Sequence, residues 1–318
     1  MARILTITLN PALDLTIELP TLRLGEVNRG EALHVHAAGK GLNVAQVLAD
    51  LGHQLTVAGF LGSDNSERFE ALFRQRGFID AFIRVPGETR RNLKLAEHDG
   101  RVTDVNGAGL QVPAHAQAAL LQRLAEIAPG HDLAIVAGSL PQGVSPQWLQ
   151  QLLEALRALG LPVALDTSGA ALRAGLACQP WLIKPNTEEL AQVLDAPAEE
   201  LQHQATAAKA LHARGIEHVV ISQGAQGVSW FTPGGAWHAL PPTVAVASTV
   251  GAGDSLLAGM VHGLLSHASA ESTLRTATAI AAMAVTQIGF GIPDHAALAR
   301  LESGVHVSPM AAFAEVAQ

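Results

Sequence analysis

The chain has 318 residues, a formal net charge of −8, 48% hydrophobic residues and only 15% charged ones. That allows a large domain with a sizeable core, and the acidic balance, with no basic run beyond Arg90-Arg91, argues against a nucleic-acid binder. The single cysteine, Cys178, cannot form an intrachain disulfide, and no apolar stretch reaches the roughly 18 residues of a membrane span.

Residues 1–5 run directly into a strand pattern rather than a signal peptide, so a cytoplasmic home is expected. Cys178 has no motif around it and reads as a packing residue. The fourteen histidines, including the alternating His34 and His36, show no metal-ligand spacing and read as surface or packing residues.

Along the chain, short β-branched runs alternate with amphipathic helical patterns. A strand is predicted over 4–9, a helix over 42–51, a strand over 55–60 and a helix over 67–76. There follow a helix over 114–128, a strand over 133–136, a helix over 146–159 and strands over 163–166 and 181–184. A helix over 206–214, a strand over 218–222 and helices over 254–266 and 270–287 complete the pattern. Such alternation predicts a mainly parallel sheet with helices on both faces, an α/β fold. Two stretches break it, 15–37 and about 81–106, each with short strands and no long helix. The second contains a hairpin signal, strand patterns flanking the Asp99-Gly100 turn. These strands are expected to form a small β-sheet beside the core, as a lid. No linker or repeat divides the chain.

The most informative motif is Ser248-Thr249-Val250-Gly251-Ala252-Gly253-Asp254-Ser255, which opens an apolar helix. Gly251 and Gly253 let the backbone approach a ligand closely, and free amides at a helix N-terminus favour an anion. Asp254 alone could be an N-cap, but a cap does not need Gly-Ala-Gly before it. A carboxylate beside an anion hole suits phosphoryl transfer to an alcohol, which needs donors for the phosphoryl oxygens and a base for the hydroxyl proton.

A second Gly-rich turn, Gly39-Lys40-Gly41-Leu42-Asn43, also opens a helix; its spacing is not that of a P-loop, and a plain turn would account for it. Asp14, beyond the first strand, is placed to meet a polyol. Arg90 and Lys94 on the lid hairpin could hold a phosphate, or merely line a solvated strand face. Ser139 closes one strand and Lys184 another. Asn186 and Glu189 could order waters on Mg²⁺, although Glu189 also fits a first-turn acid. The turn Ser222-Gln223-Gly224-Ala225-Gln226-Gly227 could be a simple hairpin or could admit a purine ribose. No G-x-G-x-x-G follows the first strand, which excludes a dinucleotide-binding dehydrogenase.

Together these residues resemble the ribokinase-like carbohydrate kinases, the PfkB family. Gly39–Asn43 is similar to the family's first signature, Thr249–Asp254 to its second, and Lys184-Pro185-Asn186 with Glu189 to its Asn-x-x-Glu element. Further likeness lies in Thr8–Asp14, His36–Gly41, Thr89–Leu95 and Gly138–Pro141. The resemblance implies a three-layer α/β/α sandwich, one kinase domain over 1–318, with lid strands inserted at about 12–37 and 81–107. It implies ATP and Mg²⁺, and a homodimer formed through the lid. Asp254 is then the base, with Gly251, Ala252 and Gly253 as the anion hole. Asp14, Gly39, Asn43 and Ser139 would meet the sugar, and Lys40, Arg90 and Lys94 its phosphate. Lys184, Asn186, Ser222, Gly224, Gly227 and Thr249 would meet the nucleotide. Ser248, where many members carry an acid, fits a sugar phosphate better than a nucleoside. The implied reaction is phosphorylation of fructose 1-phosphate at C6. Family kinases acting on tagatose 6-phosphate or fructose 6-phosphate share nearly all these motifs. A non-catalytic regulator on the same scaffold is the alternative of another class.

Overall fold

The computed structural model describes residues 1–310. In chain order it begins with β1 (Arg3–Thr8), β2 (Ala12–Leu19), β3 (Ala32–Ala38), α1 (Lys40–Asp50), β4 (Gln54–Gly62), α2 (Glu67–Arg76) and β5 (Ile79–Val85). Next come β6 (Arg91–Glu97), β7 (Val102–Asn106), α3 (Ala114–Ile127), β8 (Leu133–Ala137), α4 (Pro146–Ala158), β9 (Val163–Asp166) and α5 (Gly169–Gly175). Then β10 (Leu182–Ile183), α6 (Thr187–Leu194), α7 (Leu201–His212), β11 (His218–Ser222), β12 (Val228–Thr232) and β13 (Gly235–Leu240) follow. The helices α8 (Ala252–Leu265), α9 (Ala270–Ala284) and α10 (His295–Ser303) lead to β14 (His306–Pro309).

Ten strands form one sheet in the order β14-β13-β12-β11-β10-β9-β8-β1-β4-β5. From β5 to β11 every pairing is parallel. The central strands are buried on both faces, so they read as continuous apolar runs. Leu5 and Ile7 point into one core with Phe60, Leu120, Leu152 and Leu165. Ile4 points into the other with Leu42, Val57, Leu257 and Leu274. Helices therefore cover both faces, giving the three layers expected of a ribokinase-like sandwich. Local signals set the helix ends. In α4, Pro146 occupies the first turn and Ser145 accepts from Trp148 N, while α2 carries Glu67 and Glu70 early, Arg74 and Arg76 late, and stops at the left-handed Gly77.

A second, four-stranded sheet has the order β3-β2-β6-β7. It contains the expected hairpin, with β6 and β7 antiparallel. The main sheet is mainly parallel, as expected, with β12, β13 and β14 joining it antiparallel at one end. One expectation needs correction. The second lid segment does not begin at residue 81: Ile79–Val85 pairs parallel with β4 at the edge of the main sheet. Its alternating polar residues reflect an edge position rather than membership of the lid.

Candidate active site

The C-terminal ends of β1, β8, β9, β10 and β11 lie along one edge of the main sheet, and nearly all candidate residues gather there. α1 and α8 both start at this edge. Each is preceded by a glycine, with φ 140° at Gly39 and 82° at Gly251. At Gly39 a Cβ would meet Thr8 Cγ2 at 2.7 Å, and at Gly41 it would strike Thr8 Oγ1. This turn is therefore glycine-rich first because α1 packs tightly on the end of β1.

α8 begins at Ala252, two residues earlier than the sequence pattern suggests. Gly251 is its N-cap, and Ser255 N makes the first intrahelical bond, to Gly251 O, at 2.8 Å. The amides of Ala252, Gly253 and Asp254 consequently have no intrahelical acceptor, the arrangement that an anion hole requires. Asp254 is inside the first turn and is not the cap. Its Oδ2 accepts from Asn43 Nδ2 at 2.7 Å. Burial first, then the negative charge of Asp166, raise the Asp254 pKa to about 6, against the opposing pull of Lys40, Asn43 and Lys184. A buried carboxyl tuned toward neutrality fits a general base.

Asp166, at the end of β9, is the residue that sequence reasoning missed. It is buried between two lysines, with Lys40 Nζ at 3.2 Å and Lys184 Nζ at 3.5 Å. Burial works against the charge on Lys40, but Asp166, Asp254 and Glu189 outweigh it and lift its pKa above the ordinary range. Lys184 Nζ lies 3.2 Å from where a Cβ on Gly253 would be. A fixed cation thus stands against the anion hole.

Around this centre the other candidates fall into two groups. Asn186 and Glu189 form a capping box on α6: Asn186 Oδ1 accepts from Glu189 N at 2.7 Å, and Glu189 Oε2 from Asn186 N at 3.0 Å. This structural role accounts for their spacing; Glu189 Oε1 lies outside it. Ser222 N donates to Pro185 O at 3.1 Å, which holds the Gly turn beside this loop. Gly227 is required by packing, since a Cβ would strike Ala239 O, whereas Gly224, with φ 57°, faces open space. Thr249 is exposed in the segment leading to α8.

On the lid side, Asp14 accepts from Lys94 Nζ at 2.6 Å and from Asn92 Nδ2 at 3.0 Å. Arg90 donates to the carbonyls of Asn10, Pro11 and Gly107. Ser139 Oγ accepts from Asn10 Nδ2 at 3.0 Å. Arg90 and Lys94 are therefore engaged within the protein rather than free on a solvated face. Asp14, Thr16, His36 and Lys94 share a narrow crevice with Ser248, Val250 and Phe290, which joins the lid to the approach of the anion hole.

A buried carboxyl, free helix-start amides with a lysine close by and a polar lid at the carboxyl edge of a parallel sheet suit a small-molecule phosphotransferase. The family model described as pfkB family carbohydrate kinase matches residues 7–297, and the chain belongs to that family. Membership implies ATP as the phosphoryl donor. A protein named 1-phosphofructokinase from Vibrio cholerae serotype O1 is 48% identical over 311 residues, covering 97% of each chain. One of the same name from Escherichia coli K12 is 46% identical over 308 residues, covering 96% of this chain and 98% of its own. Among solved structures, a point mutant of Escherichia coli phosphofructokinase-2 superposes with a TM-score of 0.88 at 29% identity, covering 95% of this chain and 99% of that one. The same enzyme solved with fructose-6-phosphate gives a TM-score of 0.86 at 28% identity, covering 95% and 99%. Among the described residues no helix is long and apolar enough to cross a membrane.

Proposed function

We propose that the chain transfers the γ-phosphoryl group of ATP to the C6 hydroxyl of fructose 1-phosphate, giving fructose 1,6-bisphosphate and ADP. The observation that carries the chemistry is the buried Asp254, its pKa raised to about 6, in the turn whose free amides open α8. Asp254 takes the hydroxyl proton as the oxygen–phosphorus bond forms and the bond to the β-phosphate oxygen breaks. The amides of Ala252 and Gly253, with Lys184 behind them, offset charge on the transferring group. The choice of sugar rests on near-full-length relatives at 46–48% identity that bear the name 1-phosphofructokinase. The structural neighbour titled with fructose-6-phosphate stands at 28%, which makes a 6-phosphate the second reading.

Asp14, Gly39, Asn43 and Ser139 meet the sugar in this reading. The buried Asn43 Oδ1 has no hydrogen-bond partner and can accept from a hydroxyl while Nδ2 holds the base. Lys40, Arg90 and Lys94 meet the existing phosphate, which draws Lys94 away from Asp14. Ser222, Gly224, Gly227 and Thr249 border the nucleotide. Asn186 and Glu189 Oε1 are oxygen-bearing groups of the kind that hold Mg²⁺ through water; when bound, the ion neutralises charge on the ATP phosphates. The crevice between the lid and Phe290 is narrow, ≈ 30 Å³. In this reading sugar entry moves the lid outward, and reclosure excludes water as a competing acceptor.

The same reading takes 1–318 as one kinase unit with the lid strands inserted, and pairs two chains through the lid. In the lid sheet Ile17 sits between Leu33 and Leu95, and Leu93 opposite Val105. Leu33 and Val105 are 60% and 56% exposed. That face is apolar, whereas the opposite one carries Asp14, Thr16, His36 and Lys94. A second copy laid on the apolar face would cover it.

The test is turnover with fructose 1-phosphate, fructose 6-phosphate and tagatose 6-phosphate at equal concentration. The highest kcat/KM is expected with fructose 1-phosphate; a preference for either 6-phosphate would reject this substrate.

A further inference from the structure

Beside the catalytic crevice lies a larger cavity, about 560 Å³, walled by β3, α1, α2 and the segment 287–293. A volume of that size accommodates a small metabolite. Part of its polar lining is unspent. Arg68, on α2, makes no hydrogen bond or ion pair among the described residues. Gln46, on α1, is only 8% exposed, yet its Nε2 has no partner. The Nε of Arg76 is also buried without a partner. Buried donors left unpaired are costly, so such a group invites a ligand acceptor.

The charge balance favours an anion. Asp50 is the cavity's carboxylate, and both its oxygens are engaged: Oδ1 by Arg76 Nη2 and Oδ2 by Ile292 N, each at 2.7 Å. Arg68 is left as uncompensated positive charge. Burial, then His34 and Arg68, lower the pKa of His36, so its ring is a neutral hydrogen-bonding group near pH 7.

Two walls are shared with the catalytic crevice. His36 and Phe290 line both spaces. The Phe290 ring lies 2.8 Å from where a Cβ on Gly251 would be, so it packs directly on the backbone of the anion hole. A ligand that moves Phe290 therefore moves the turn that positions Asp254.

We propose that this cavity is a second anion site, for a small phosphate ester, and that its occupancy is felt at the anion hole through Phe290. A guanidinium with free donors and a neighbouring amide N–H suit phosphate oxygens. The site lies outside the groups assigned to the reaction, so it does not depend on the identity of the sugar.

Equilibrium dialysis of the full chain with labelled inorganic phosphate, and separately with fructose 1,6-bisphosphate, tests it. Both arms are run with and without saturating fructose 1-phosphate and a non-hydrolysable ATP analogue. One bound ester per chain is expected to survive saturation, and Arg68→Ala to weaken it by about tenfold or more, as loss of a charge-assisted contact implies. Basal kcat and KM of Arg68→Ala should stay within about twofold of wild type, because the residue is exposed and outside the reaction centre. The ester should shift the sugar KM of wild type and not of the variant. If phosphate alone binds, the occupant is the free ion and the ester assignment is overturned; if the bisphosphate binds, the ester assignment stands. Complete displacement by the substrates, or binding unchanged by Arg68→Ala, overturns the site. Binding with no kinetic shift overturns its link to the anion hole.

Discussion

Asn43 and Asp254, 211 residues apart in sequence, are joined by a 2.7 Å hydrogen bond from Nδ2 to Oδ2. The bond ties the first turns of α1 and α8, the two helices that open at Gly-rich turns. It orients the carboxylate and leaves Asp254 Oδ1 without a donor among the described residues. In the proposed reaction Asn43 would first position the base, and meet the sugar only through its unpartnered Oδ1.

The pH dependence of turnover follows from this geometry. Asp254 accepts a proton only when ionised, and burial with the nearby Asp166 puts its pKa at about 6. The logarithm of kcat/KM should be flat above about pH 6 and fall with unit slope below it. Asn43→Ala removes a bond that lowers this pKa, so the acid limb should move to higher pH. A limb at the ordinary carboxylate value of about 4 in wild type contradicts the tuning.

The raised pKa also bears on stability. An unfolded Asp ionises at about 3.9 and the folded one at about 6, so folding disfavours the charged form. The cost is absent below about pH 4, grows as pH rises and is complete above about pH 6. Asp254→Asn should therefore stabilise the fold by about 3 kcal/mol at pH 7.5 and by little at pH 4. Urea unfolding at both pH values measures it, and equal effects at the two would contradict the sign.

Asp166 holds two lysines by their charge. Lys40 can rehydrate if released, its side chain being 39% exposed, but Lys184, at 5%, cannot. Asp166→Asn should cost about 3 kcal/mol in urea unfolding, as for a buried pair broken on one side. It should reduce kcat by about tenfold or more, since Lys184 loses its aim at the transferring group and Lys40 its hold beside it. A purely structural role would leave the acid limb in place; loss of the like charge beside Asp254 should move it to lower pH.

Pairing through the lid predicts that Leu33→Asp yields a monomer. The residue lies on the face opposite Asp14 and Lys94, so chemistry within one chain should persist. Sedimentation velocity at about 10 μM, a concentration where stable dimers persist, decides it. An unchanged sedimentation coefficient would place the contact elsewhere.

Much of this architecture is legible in the residues themselves. β9 and β11 are apolar runs with the boundaries that the pattern predicts, and α2 carries its dipole charges and terminal glycine in plain view. Asp254 announces itself through the glycines before it. Asp166 does not, because one acid at a strand end resembles any turn residue. Only the register of β9 beside β10, and the start of α1 across the edge, bring it between Lys184 and Lys40. β5 reads as part of the lid because an edge strand carries Asp80 and Arg84 and lacks the apolar run of a central one. α5 is seven residues long with glycine at both ends, too short for periodicity to register. Asn186 and Glu189 have the spacing of a capping box, and the structure uses them so.

The proposed reaction stands or falls with Asp254 as the base for phosphoryl transfer to a sugar phosphate. The most direct measurement is the turnover of Asp254→Asn with ATP and fructose 1-phosphate, alongside calorimetric binding of each. Both ligands should bind near wild-type affinity, with nearly all turnover lost. Turnover within about tenfold of wild type, a difference of only ~1.4 kcal/mol, would contradict it.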